Sequence, residues 1–151
     1  MTWFMAFLHH LAAFTLVGAL VAELTLLQDG LAPKSARMVL LADLAYGISA
    51  GTILIVGLLR VIYFERGTSY YFYSVPFIAK ASIFLIVGLL SIYPTVEFLS
   101  WRTSLNQGQD PITTTRKLHT IRSIIRWELF GIGVIVLCAT LMAQGVGYLG
   151  R

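Results

Sequence analysis

The stretch Met38–Tyr63, MVLLADLAYGISAGTILIVGLLRVIY, decides the fold. It exceeds the roughly 20 apolar residues that carry a helix across a ~30 Å hydrocarbon core. Asp43 and Arg60 are its only charges. Three further stretches meet the same length: about Trp3–Leu27, Pro76–Leu99 and Trp127–Leu149. The chain is 58% hydrophobic and 12% charged, against ~25% charged in soluble domains. It therefore reads as an all-α, integral membrane four-helix bundle. A single transmembrane domain covers residues 1–151, with helices at about 3–27, 38–63, 76–99 and 112–149, and the bundle is its own core. Secretory signals carry a basic n-region, and no Lys or Arg precedes the first span, so that segment is expected to stay as a helix.

Several function classes fall away on composition. Cys138 is the single cysteine and lies within the fourth span, which excludes an intrachain disulfide and a CxxC site. The net charge of +4 does not imply nucleic acid, because the basic residues flank membrane segments instead of interleaving with exposed aromatics. No GxGxxG, P-loop, HExxH or spaced Ser/His/Asp set occurs.

Lysine and arginine bias sets the expected orientation. Lys34, Arg37, Arg102, Arg116, Lys117, Arg122 and Arg126 make seven on one side, against Arg60, Arg66 and Arg151, three, on the other. This predicts a multi-pass protein with its first and third loops in the cytoplasm and both termini outside. Tyr70, Tyr71, Phe72 and Tyr73 in the second connection read as an interfacial aromatic belt on the outer surface; the alternative is a lid over an outward-opening site. In the third connection, Asp110-Pro111 reads as an N-cap followed by a first-turn proline. The fourth helix would then start near Ile112, with its first four turns outside the hydrocarbon. Arg116, Lys117, Arg122 and Arg126 there would attract anionic membrane lipid, at about 1 kcal/mol each.

Ionisable side chains within membrane spans are costly and face the bundle interior or water. Their polarity here is segregated. His9, His10, Arg60 and Lys80 fall in the outer half; Glu23, Asp43, Glu97 and Glu128, one from each helix, fall in the inner half. The inner carboxylates read as a structural ion network with Arg37, Arg102, Arg122 and Arg126, or as a proton path. A di-metal centre does not suit them, because neither Glu97 nor Glu128 has a histidine three residues on.

In the outer half, His9 and His10 differ by about 100° around the helix, so they cannot face the same way. The series His9, Ala13, Leu16, Leu20, Glu23 follows one stripe, which turns His9 inward if Glu23 is inward. His10 then faces a neighbouring helix, a second protomer or the interface; snorkelling of either histidine is the ordinary alternative. On helix two, Tyr46, Gly47, Ala50, Gly51 and Gly57 permit close helix packing or leave room for a flat ligand. Lys80 and Arg60 share the depth of His9, and no outer-half carboxylate balances them. That pattern suits an anionic group such as a cofactor carboxylate or a lipid phosphate.

A family resemblance follows from several motifs. They are Leu8-His9-His10-Leu11 with Glu23; Asp43-Leu44-Ala45-Tyr46-Gly47; Gly57-Leu58-Leu59-Arg60; Tyr70-Tyr71; Phe77-Ile78-Ala79-Lys80; Leu90-Ser91-Ile92-Tyr93-Pro94-Thr95; Trp101-Arg102; Glu128; and Met142-Ala143-Gln144-Gly145-Val146-Gly147. Over nearly its whole length the chain resembles an uncharacterised family of bacterial four-helix membrane proteins. That family is distantly similar to the CopD-like group, which includes the helix-bundle, haem-containing protoporphyrinogen oxidases. Those enzymes carry a histidine early in helix one and a lysine early in helix three, where His9 (or His10) and Lys80 stand here; Gly18 resembles the glycine that follows their histidine. Tyr93-Pro94-Thr95 stands where they carry a further histidine, so the resemblance implies a porphyrin site without implying the oxidase reaction.

The resemblance implies a bacterial inner (plasma) membrane protein that binds b-type haem or a related porphyrin in a redox or tetrapyrrole-handling role. His9 would be the metal ligand, with His10, Arg60, Lys80 and Met142 as further cofactor-binding residues, and a homodimer could supply a second histidine. The alternatives are a transport or permeation component for anions or protons and a non-catalytic assembly subunit.

Overall fold

The computed structural model describes residues 2–28, 31–64, 74–109, 111 and 113–146. Four helices cross in sequence: α1 (Thr2–Leu26), α2 (Pro33–Leu59), α3 (Val75–Asn106) and α4 (Thr115–Ala143). All four are long and apolar enough to span a bilayer. Large apolar side chains such as Phe14, Leu41, Ile48, Leu85 and Phe130 lie exposed along them, as lipid-facing residues must. The hydroxyls of Thr15, Thr25, Thr52, Thr120 and Thr140 each donate to the carbonyl one turn back. They thereby satisfy themselves without water.

The helix ends depart from a hydropathy reading in a consistent direction. α2 starts at Pro33, a turn and more before the apolar run, because proline lacks only an N–H that a first turn leaves unused. α2 passes directly into a π-helical turn, Arg60–Phe64. α3 continues through Pro94 to Asn106, two turns beyond Leu99, since its last turns still bury Trp101 and Leu105. α4 starts at Thr115 with Thr114 as N-cap, and Pro111 precedes the helix instead of opening it. α4 ends at Ala143, not near Leu149. Asp110 and the aromatic run Tyr70–Tyr73 lie outside the described residues, as do Glu65, Arg66, Gly147 and Arg151.

Packing is unequal. α1 lies closely along α2 and α3 along α4, whereas α2 against α3 and α1 against α4 meet over much less length. The α3–α4 seam is tightest at Gly131, where an added Cβ would stand 2.7 Å from Val87 Cγ2. The core collects at one end of the bundle, where Leu20, Leu27, Val39, Phe98, Ile121 and Ile125 are buried. This is the end where α2 and α4 begin and α1 and α3 finish.

At that end two arginines close helices other than their own. Arg122 of α4 donates from Nη2 to Leu27 O, just past the end of α1. Arg37 of α2 donates from Nη2 to Leu105 O in the last turn of α3, at 3.1 Å. Helix C-termini carry partial negative charge, which favours a guanidinium at each; Leu105 O accepts from Gly108 N as well as from Arg37.

Candidate functional site

All four helices send polar side chains to one buried level. Glu23 from α1, Asp43 from α2 and Glu128 from α4 are 2%, 8% and 1% exposed. Glu23, Asp43 and Glu128 stand near enough for their charges to act on one another. α3 contributes hydroxyls. Thr95 Oγ1 donates to Asp43 Oδ1 at 2.7 Å, and Ser91 is within hydrogen-bonding reach of the buried Tyr46 hydroxyl.

Glu97 does not join them. It accepts from Lys117 Nζ at 2.9 and 3.0 Å on a more open face between α3 and α4. One carboxylate per helix was therefore an incomplete expectation: depth along a helix does not fix direction around it. Thr95, two residues before Glu97 and about 200° round the helix, takes the inward place. The stripe Val87, Ser91, Pro94, Phe98, Trp101, Leu105 marks that inward face in the sequence.

The expected ion network with arginine is also not what forms. Arg37 and Arg122 go to backbone carbonyls, and among the described residues the Lys117–Glu97 pair is the ion pair present on this side of the bundle. The Oε1 atoms of Glu23 and Glu128 are buried and have no hydrogen-bond partner among the described residues. Three carboxylates so placed in a low-dielectric interior need compensating positive charge, from protons or from a small cation. No group of three or more His, Cys, Asp or Glu side chains among the described residues is arranged to hold a metal ion.

The outer residues stand at the other end. His9 is half-buried with its imidazole against α2, its Cε1 3.8 Å from where a Cβ on Gly57 would lie. His10 is exposed, and its Nδ1 donates to Ala6 O at 2.6 Å. Arg60 opens the π-helical turn and is half-buried. Lys80, also half-buried, holds Nζ 5.1 Å from the centre of the Phe77 ring. Met142 is half-buried in the last turn of α4.

A cavity of about 1040 Å³ lies elsewhere, between α2 and α3. Asp43, Tyr46, Ser91 and Thr95 form its polar wall, and Arg37 and Arg102 stand at one end. Sequence reasoning missed Ser91, Thr95 and this cavity. Ser91 and Thr95 fall at helical spacing on one face, which was the available signal.

No curated protein and no solved structure matches the chain, so the likeness to the CopD-like group gains no support beyond the residues quoted for it. A family of predicted membrane proteins does match, and nearly end to end. Over residues 1–147 the chain fits the family described as "Predicted membrane protein (DUF2214)", and it belongs to that family.

Proposed function

We propose that this protein binds and relays protons within the membrane, as a component of proton-linked transport, through Glu23, Asp43 and Glu128. One observation carries the reading: Glu23 and Glu128 each bury an Oε1 without a partner, beside a third carboxylate, and no basic side chain among the described residues pairs with them. Charged groups held inside a bilayer mark ion and proton pathways. Asp43 joins the buried centre to the cavity wall, and Thr95 and Tyr46 supply hydroxyls along which a proton can pass.

The test is a liposome containing the purified protein and an entrapped pH-sensitive dye. An imposed pH gradient should collapse faster than in protein-free liposomes. Glu23→Gln and Glu128→Gln should return the rate to the protein-free level, while Glu97→Gln, outside the centre, should keep the wild-type rate. Wild-type protein no faster than empty liposomes would sink the reading, and so would equal rates in all three variants.

A second reading, a b-type haem or related porphyrin with His9 as axial ligand, has one structural support: the inward turn of His9 toward α2. An absorption spectrum of the purified protein after haem addition tests it by the presence or absence of a Soret band.

A further inference from the structure

We infer that the groove between α2 and α3 is a binding site for an anionic phospholipid, with its phosphate held by Arg37 and Arg102 and an acyl chain lying along the helices. This inference does not depend on the proton reading.

The groove is built as an amphiphile site. Beside the polar strip Asp43, Tyr46, Ser91 and Thr95, its walls are apolar, from Leu40, Leu44 and Ile48 of α2 to Phe84 and Val87 of α3. At one end they finish in Arg37, Arg102 and Asn106. These three fall in the early turns of α2 and the last turns of α3, at the same end of two antiparallel helices. The Arg37 contact to Leu105 O holds that geometry. From Arg37 to Ala50, both on the lining, α2 rises about 20 Å at 1.5 Å per residue. That matches one leaflet, half of a ~30 Å core plus the level of a headgroup phosphate. The volume of about 1040 Å³ is at the upper limit of the ~300–1,000 Å³ usual for small-ligand sites, far larger than an ion needs.

Charge complementarity decides the occupant. Arg37 keeps donors beyond the one given to Leu105 O, because a guanidinium carries five N–H groups in a fixed fork. With Arg102 beside it, the mouth of the groove presents planar donors suited to a phosphate's oxygens. Basic pockets between transmembrane helices at headgroup level are the usual setting for anionic lipid headgroups. Two glycines leave room for the chain. Gly47 and Gly88 face one another's helix across the groove, and a Cβ at either would meet nothing within 4 Å.

Native mass spectrometry of the detergent-purified full chain tests the site, with phosphatidylglycerol and phosphatidylcholine as probes. The wild type should retain phosphatidylglycerol in preference to phosphatidylcholine. Arg102→Gln should weaken phosphatidylglycerol retention about fivefold, the effect of one charge at the membrane surface. Gly88→Leu should abolish retention by filling the groove, and its unchanged thermal melting would show that the bundle remains folded. Equal retention of the two lipids by the wild type overturns the inference. So does undiminished phosphatidylglycerol in Arg102→Gln, or in a folded Gly88→Leu. A dimer that Gly88→Leu disperses, with no lipid preference, would assign the groove to a second copy and overturn it equally.

Discussion

His10 donates from Nδ1 to a carbonyl of its own helix and looks outward, while His9, one residue earlier, lies against α2. One 100° step separates an exposed side chain from one turned against a neighbouring helix. If a porphyrin enters this bundle, His9→Ala should remove its Soret band and His10→Ala should leave most of it. Absorbance of the two variants after haem addition checks this, and equal complete loss would contradict the geometry. The directions of His9 and Glu23 were legible from a count of helical turns. The partners of the arginines were not. A sequence shows that Arg37 and Arg122 share a membrane face with three carboxylates, but backbone carbonyls are invisible in it. Both guanidinium groups go to those carbonyls, which leaves Glu23 and Glu128 to other means of neutralisation.

At the scale of the helices, spans were legible from apolar length, and ends were not. Hydropathy registers where lipid begins, whereas a helix persists as long as its backbone is satisfied and one face is covered. Trp101 and Leu105 therefore extend α3 past its apolar run, and Pro33 starts α2 ahead of its own. Glycine within these helices has two meanings that spacing alone does not separate. Gly131 is a point of contact, since its Cβ would collide with Val87, whereas at Gly133 an added Cβ would find nothing within 4 Å. Gly131→Ala should lower the thermal midpoint of the detergent-solubilised protein by the equivalent of about 1–3 kcal/mol of overpacking. Gly133→Ala should leave the midpoint unchanged or slightly raised, through better helix propensity. Matching melting curves for the two variants would remove the close-approach explanation.

For the molecule as a whole, seven basic residues against three predict that the first and third loops face the cytoplasm. In a Cys138→Ala background, Gln109→Cys should react with a membrane-impermeant maleimide only in inverted vesicles, and Thr68→Cys only in intact spheroplasts. The opposite pattern would reverse the protein in its membrane, and with it the leaflet from which the α2–α3 groove is reached. The same architecture has a bearing on biogenesis. α1 with α2 and α3 with α4 are two tightly packed hairpins, and each arginine cap runs from one hairpin to the other: Arg122 to the end of α1, Arg37 to the end of α3. While the ribosome has delivered only the first hairpin, the carbonyl of Leu27 waits for a donor that has not yet been translated. In the second hairpin, Leu105 O already accepts from Gly108 N, and Arg37 adds a second donor when the halves meet. Docking of the halves therefore makes both arginine contacts together. An orphaned half keeps an arginine without its cross-hairpin carbonyl at the membrane surface, the kind of mark by which quality-control proteases can tell an unfinished protein from a finished one.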